Sequence, residues 1–180
     1  MASHYFIGIK GPSDFESLVN AYKDKYQLTE TYKVLTHPDD LHVTLLFIGA
    51  MSDQSLPFLT ENLRSIANSN PAFNIYFDGL SYFGSPSRPR VVYFSVKESP
   101  MLTTLQREID KTVSAQLDRS VSDRFTPHMT IAKKRKATDP LHISKEQWNL
   151  IEMPITSFSL FKIHPEMTPK YEAIETFKLG

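Results

Sequence analysis

Two short strings, Leu41-His42-Val43-Thr44-Leu45 and Pro127-His128-Met129-Thr130-Ile131, constrain this chain more than any other feature. Each is a His-x-Thr set among apolar and β-branched residues, a composition that suits a strand. Residues i and i+2 of a strand share a face. His42 and Thr44 then point one way and Val43, Leu45 and Phe47 the other; His128 and Thr130 are likewise opposed to Met129 and Ile131. The histidines lie 86 residues apart, and the same step carries Tyr5-Phe6-Ile7-Gly8-Ile9 onto Val91-Val92-Tyr93-Phe94-Ser95, a second strand-like run. A helix opening with proline follows each run, at Gly11-Pro12-Ser13 and at Ser99-Pro100. Strand, helix and His-x-Thr strand therefore recur in order with little residue identity, which is duplication of a lobe rather than a short-period array.

The fold this implies is α+β: a bilobal, duplicated β-α-β-α-β unit with two mainly antiparallel sheets around a central cleft. Its 180 residues suit one domain made of two lobes, approximately 1–84 and 85–180. No apolar run approaches the ~20 residues of a membrane span. Met1-Ala2-Ser3-His4 leads straight into a strand, without the regions of a signal peptide. Cysteine is absent from the sequence, which removes disulfides, thiolate metal sites and a thiol nucleophile together. A reducing cytosol is the expected compartment and a monomer the expected state. Lys plus Arg equals Asp plus Glu at 20 each, which argues against sequence-independent duplex binding but leaves room for the end of one RNA strand.

Along the chain, Phe15, Leu18, Val19, Tyr22 and Tyr26 follow a helical face after Pro12. Residues 34–40 read as a loop. Leu56, Leu59, Leu63 and Ile66 mark a second helix, and Phe73 to Phe77 a strand. Gly84-Ser85-Pro86-Ser87-Arg88-Pro89 is the most loop-like stretch and is expected to start a crossover between lobes. Arg90 to Lys97 reads as a strand. Leu102, Leu105, Ile109, Val113 and Leu117 mark a helix capped by Ser99. Ser144-x-x-Gln147 resembles a capping box for a short helix carrying Trp148, and a closing hairpin is expected from Ile155–Ile163 and Tyr171–Phe177.

Two imidazoles and two hydroxyls on facing strands make a pocket for a phosphoryl group. With an unperturbed pKa near ~6.5, either imidazole serves as acid or base close to neutrality. The Thr44 and Thr130 hydroxyls would bond non-bridging oxygens as charge develops there. No metal or other cofactor is required by this scheme. A mixed site of His37, His42, His128 and Asp39 or Asp40 is the chemical rival. However, Pro38 interrupts the spacing, and the second half repeats neither His37 nor the acids. His142 and His164 fall in loops and read as solvated. Lys133 opens the basic run Lys133-Lys134-Arg135-Lys136 beside the second motif and is a candidate phosphate contact. Phe47 is a candidate for stacking on a base. Strand alternation assigns it to the face opposite His42, so core packing is the favoured role. Arg88 and Arg90 are further candidate phosphate contacts that spacing does not separate.

With these motifs the chain resembles the two-histidine phosphoesterase superfamily, whose signature is a pair of His-x-Thr motifs. In particular it resembles the bacterial and archaeal branch called 2′-5′ RNA ligases, treated as RNA 2′,3′-cyclic phosphodiesterases. The similarity runs nearly end to end. It includes Tyr5 to Ile9, Leu41 to Gly49, the Phe83 to Val91 loop, Phe125 to Ala132, and Leu160-Phe161 with Tyr171-Glu172. The resemblance implies a cleft lined by the four motif residues and opening of a 2′,3′-cyclic phosphate to a 2′-phosphomonoester. His42 would be the proton donor to the 3′ oxygen and His128 the proton acceptor that activates water. The implied partners are RNA 3′ ends or small cyclic-phosphate nucleotides. Spacing alone leaves the two histidine roles interchangeable, and a non-catalytic RNA-end binder or 2′-5′ ligation and its reversal stay open. The family often places arginine where Lys133 stands, and lysine lacks its planar fork.

Overall fold

The structure is a computed structural model that describes residues 2–180. Strands β1 (Ser3–Lys10), β3 (His42–Met51), β8 (Ser157–Ile163) and β9 (Tyr171–Lys178) form one antiparallel sheet in the order β3-β1-β8-β9. Strands β2 (Tyr32–Leu35), β4 (Phe73–Ser85), β5 (Arg88–Val96), β6 (His128–Arg135) and β7 (Glu146–Ile155) form the other, in the order β2-β6-β5-β4-β7. The helices are α1 (Glu16–Tyr26), a single turn α2 (Leu28–Thr31), α3 (Leu56–Ser69) and α4 (Pro100–Gln116). The α+β class with two antiparallel sheets is the one the repeat implied. The matched segments also hold: β1-α1-β3 and β5-α4-β6 each bring a strand, a helix and a His-x-Thr strand, and Ser99 Oγ accepts the Leu102 N–H at the start of α4.

The two sheets do not correspond to the two halves of the sequence. Position 84/85 falls inside β4, and Gly84 to Pro89 is no crossover but the tight end of the β4–β5 hairpin, with Gly84 paired to Pro89. The last two strands return to the first sheet, while β2 and β4 serve the second. The helices are exchanged as well. Phe15, just before α1, packs edge-on against Phe77 and Phe94 of the second sheet, and Tyr22 of α1 against Phe94. From α4, Gln106 reaches the Leu45 carbonyl of β3 in the first. Thus α1 covers the second sheet although β1 before it lies in the first, and α4 covers the first although β5 and β6 build the second, and one continuous apolar core joins both.

Two further expectations are corrected. The loop expected at 34–40 starts inside a strand, since Tyr32–Leu35 pairs with β6 as β2. The capping-box segment is no helix: Glu146 to Ile155 adds to β4 as an edge strand. There Trp148 lies 4.9 Å from Phe94 and 5.9 Å from Tyr22, and its indole N–H donates to the Tyr22 hydroxyl at 2.8 Å. Burying the indole against α1 and filling the open edge of β4 outweigh the local helix signal.

Candidate active site

His42 and His128 are the first residues of β3 and β6, and both line one cleft of about 430 Å³ between the sheets. Gly11 makes this approach possible. Its N–H donates to the Leu41 carbonyl at 2.7 Å, and a Cβ there would lie 2.9 Å from that oxygen and 2.6 Å from Met129 Cε. A glycine thus sits between the residue before His42 and the residue after His128.

The two imidazoles are held alike. His42 Nδ1 lies 2.7 Å from the Asp40 carbonyl and His128 Nδ1 2.7 Å from the Thr126 carbonyl. A carbonyl only accepts, so each Nδ1 carries hydrogen and each neutral ring turns a bare Nε2 toward the cleft. Aromatic rings flank both: Phe6 at 4.6 Å and Tyr171 at 5.1 Å from His42, Phe83 at 5.0 Å and Tyr93 at 5.1 Å from His128. This shielding from water disfavours the imidazolium. Burial, reinforced by the Lys133 charge and by His128, pushes the His42 pKa down to about 4 against the opposing pull of Asp40. Burial also lowers that of His128, opposed by the bond to the Thr126 carbonyl. Thr44 Oγ1 lies 2.8 Å from His42 Nε2 and donates to it while the ring is neutral. Protonation makes Nε2 a donor, which frees the threonine hydrogen for a substrate oxygen.

The remaining expected residues, Thr44, Thr130, Lys133 and Phe47, line the same cleft. For Phe47 this corrects the assignment to the core: its side chain is 58% exposed. The cause is a β-bulge. Pairing of β1 with β3 runs Gly8↔Thr44 and then Ile7↔Leu46, leaving Leu45 unpaired. An extra residue reverses the alternation beyond it, so Phe47 joins His42 and Thr44. The second half-site repeats the device, because Tyr93↔Thr130 is followed by Val92↔Ala132 and Ile131 is skipped. Lys133 is thereby carried to the cleft face. Both bulged carbonyls are satisfied, that of Leu45 by Gln106 Nε2 at 3.2 Å and that of Ile131 by the Thr36 N–H at 3.0 Å. Arg119 donates to the carbonyls of Phe47 and Ile48 at 2.9 and 3.0 Å. The half-sites are therefore equivalent in backbone and different in what they present: an aromatic ring five residues past one histidine, a cation five past the other.

Val34, Leu35, Thr36, Thr168, Lys170 and Tyr171 also line the cleft, and sequence reasoning misses them. They arrive from β2 and the β8–β9 connection, which no motif marks. Lys133 is half-buried, and burial together with the charges of Lys134 and Lys170 lowers its pKa. Among the described residues neither Lys133 nor Lys170 takes part in an ion pair. Of the groups in the rival metal scheme, His37 also lines the cleft, its Nδ1 accepting the Asp39 N–H at 3.1 Å. Asp40 instead turns its carboxylate to the backbone of Lys170 and Tyr171. Arg88 and Arg90 are exposed on β5 and do not line the cleft. His142 is exposed, and His164 bonds Glu172 at 3.0 Å.

A cleft presenting two carbonyl-oriented imidazoles and two hydroxyls can hold a phosphoryl group and move a proton on either side of it. Residues 12–165 match the model of the 2′-5′ RNA ligase superfamily. The chain belongs to that family. A Bacillus subtilis protein named RNA 2′,3′-cyclic phosphodiesterase is 36% identical over 98% of this chain and 97% of its own. Among solved structures, Escherichia coli LigT complexed with 3′-AMP superposes with a TM-score of 0.81 at 21% identity, over 99% of each chain. The Thermus thermophilus protein TT0787 gives 0.82 at 22% identity, over 98% of this chain and 97% of its own. At those identities the two structures speak for the fold.

Proposed function

We propose that this protein hydrolyses terminal RNA 2′,3′-cyclic phosphates to 2′-phosphomonoesters by metal-independent acid–base catalysis. The observation that carries this is the pairing of His42 and His128 in one cleft, each with Nδ1 committed to a main-chain carbonyl and Nε2 directed inward. A water oxygen attacks phosphorus and the bond to the 3′ oxygen breaks. His128 takes the proton released by water, and His42 gives one to the departing 3′ oxygen, so the pair ends with its protons exchanged and the sum unchanged. Thr44 and Thr130 bond the non-bridging oxygens, Lys133 offsets their charge, and Phe47 stacks on the terminal base. The protein acts as a monomer in the cytoplasm.

An oligonucleotide ending in a 2′,3′-cyclic phosphate, incubated with EDTA and followed by phosphorus NMR, tests this. The 2′-monoester is the expected product, and His42→Ala and His128→Ala each lower turnover by at least ~10²-fold, the scale of a positioned acid or base. Undiminished turnover in either variant rejects the pair.

A further inference from the structure

The half-sites differ in one buried charge. Asp40 is 5% exposed, and the residue 86 positions on is Thr126. The two share one task, since both main-chain carbonyls orient a histidine. Asp40 has another. Its carboxylate oxygens accept the N–H groups of Lys170 and Tyr171 at 2.9 and 3.1 Å, across 130 residues of chain. No cation pairs with it among the described residues, so those two amides carry its solvation.

Resting on the reading above, we propose that Asp40 is a positioning residue that makes His42 the proton donor and closes the cleft wall beside it. Through its carbonyl it presents His42 Nε2 inward. Through its carboxylate it anchors the start of β9, which brings the Tyr171 ring to 5.1 Å from His42 and Lys170 into the cleft. The groups facing His42 are Lys133 and His128 from β6, Tyr171 at the start of β9 with Lys170 just before it, and Asp40 itself. Asp40 is the sole carboxylate in that set, so it alone favours the imidazolium at His42. His128 has no carboxylate in the equivalent place. Beside the contrast of Phe47 with Lys133, this one carboxylate polarises the pair of histidines.

The test is Asp40→Asn, read in two ways. Nitrogen NMR titration of the imidazoles needs no substrate: the His42 pKa falls by at least half a unit while that of His128 holds, and the Lys170 and Tyr171 amides exchange at least tenfold faster. With the cyclic-phosphate oligonucleotide, the basic limb of the kcat profile moves to lower pH, and kcat falls about tenfold with a smaller change in KM. A variant that is merely less stable, with an unmoved His42 titration and an unmoved basic limb, overturns the proposal. So does an equal shift at both histidines. Should the variant not fold, wild-type exchange decides: Lys170 and Tyr171 amides protected above their neighbours support the anchor, and amides exchanging as freely as that of the exposed Glu166 overturn it. A wild type that leaves the oligonucleotide intact defeats the catalytic reading while the NMR outcome still stands by itself.

Discussion

At the scale of single residues, the site is governed by how its two imidazoles titrate. A histidine whose pKa lies near ~6.5 in the unfolded chain and about 4 in the folded one binds its proton more readily when unfolded. Between those values the unfolded state holds more protons, so stability falls as pH drops from 6.5 toward 4. The loss reaches at most about 3 kcal/mol. Urea unfolding of wild type and His42→Asn at pH 7 and pH 4.5 measures it, and the variant should show a smaller acid loss. In the proposed scheme the same shift shapes catalysis, since one imidazole must be protonated and the other neutral. The free-enzyme profile, kcat/KM, is therefore a bell with its maximum below pH 6.5, because both histidines titrate below that value. A bound anion stabilises both imidazolium forms, so the kcat profile lies at higher pH. A rate that only climbs with pH contradicts the scheme.

At the scale of elements, two bulged strands do what alternation forbids. The motif histidines and threonines are legible in sequence because they lie before the bulges, where the period of two still holds. Phe47 lies beyond one, and simple alternation puts it on the wrong face for that reason. The trace of the bulge is in α4: Gln106, buried with Asp110 and Ser114 beside Leu102, Leu105, Ile109 and Val113, meets the Leu45 carbonyl. Gln106→Leu keeps the volume and removes the donor. Leaving that carbonyl without a partner costs about 1–3 kcal/mol, measurable by urea unfolding. Loosening the bulge is also expected to raise KM for an RNA end more than it lowers kcat, since in the proposed scheme Phe47 holds the base while the imidazoles stay in place. Edge pairing is illegible for another reason. The segment around Trp148 carries a local helix signal, and only the free edge of β4 with the ring of Tyr22 decides against it.

At the scale of the whole molecule, α1 and α4 each cross to the other sheet and the last two strands return to the first, so one core serves both sheets. Urea unfolding followed by Trp148 fluorescence and by the far-UV signal should give one coincident transition. The cleft depends on a close approach of Met129 in β6 to the segment before β3, at Gly11. Gly11→Ala places a methyl against the Leu41 carbonyl and Met129, an overpacking that costs about 1–3 kcal/mol. It also separates the histidines, so kcat drops while the individual imidazole titrations change little.

The sequence by itself determined the recurring order of strand, helix and His-x-Thr strand, the four motif residues and the strand that presents each pair, because these rest on local periodicity and on one repeated step. Only the tertiary structure decided which sheet each strand joined, where the bulges fell, and that Asp40, Lys170 and Tyr171 meet beside His42. Those outcomes depend on pairing between residues far apart along the chain, where a backbone N–H or carbonyl has no side-chain signature to read.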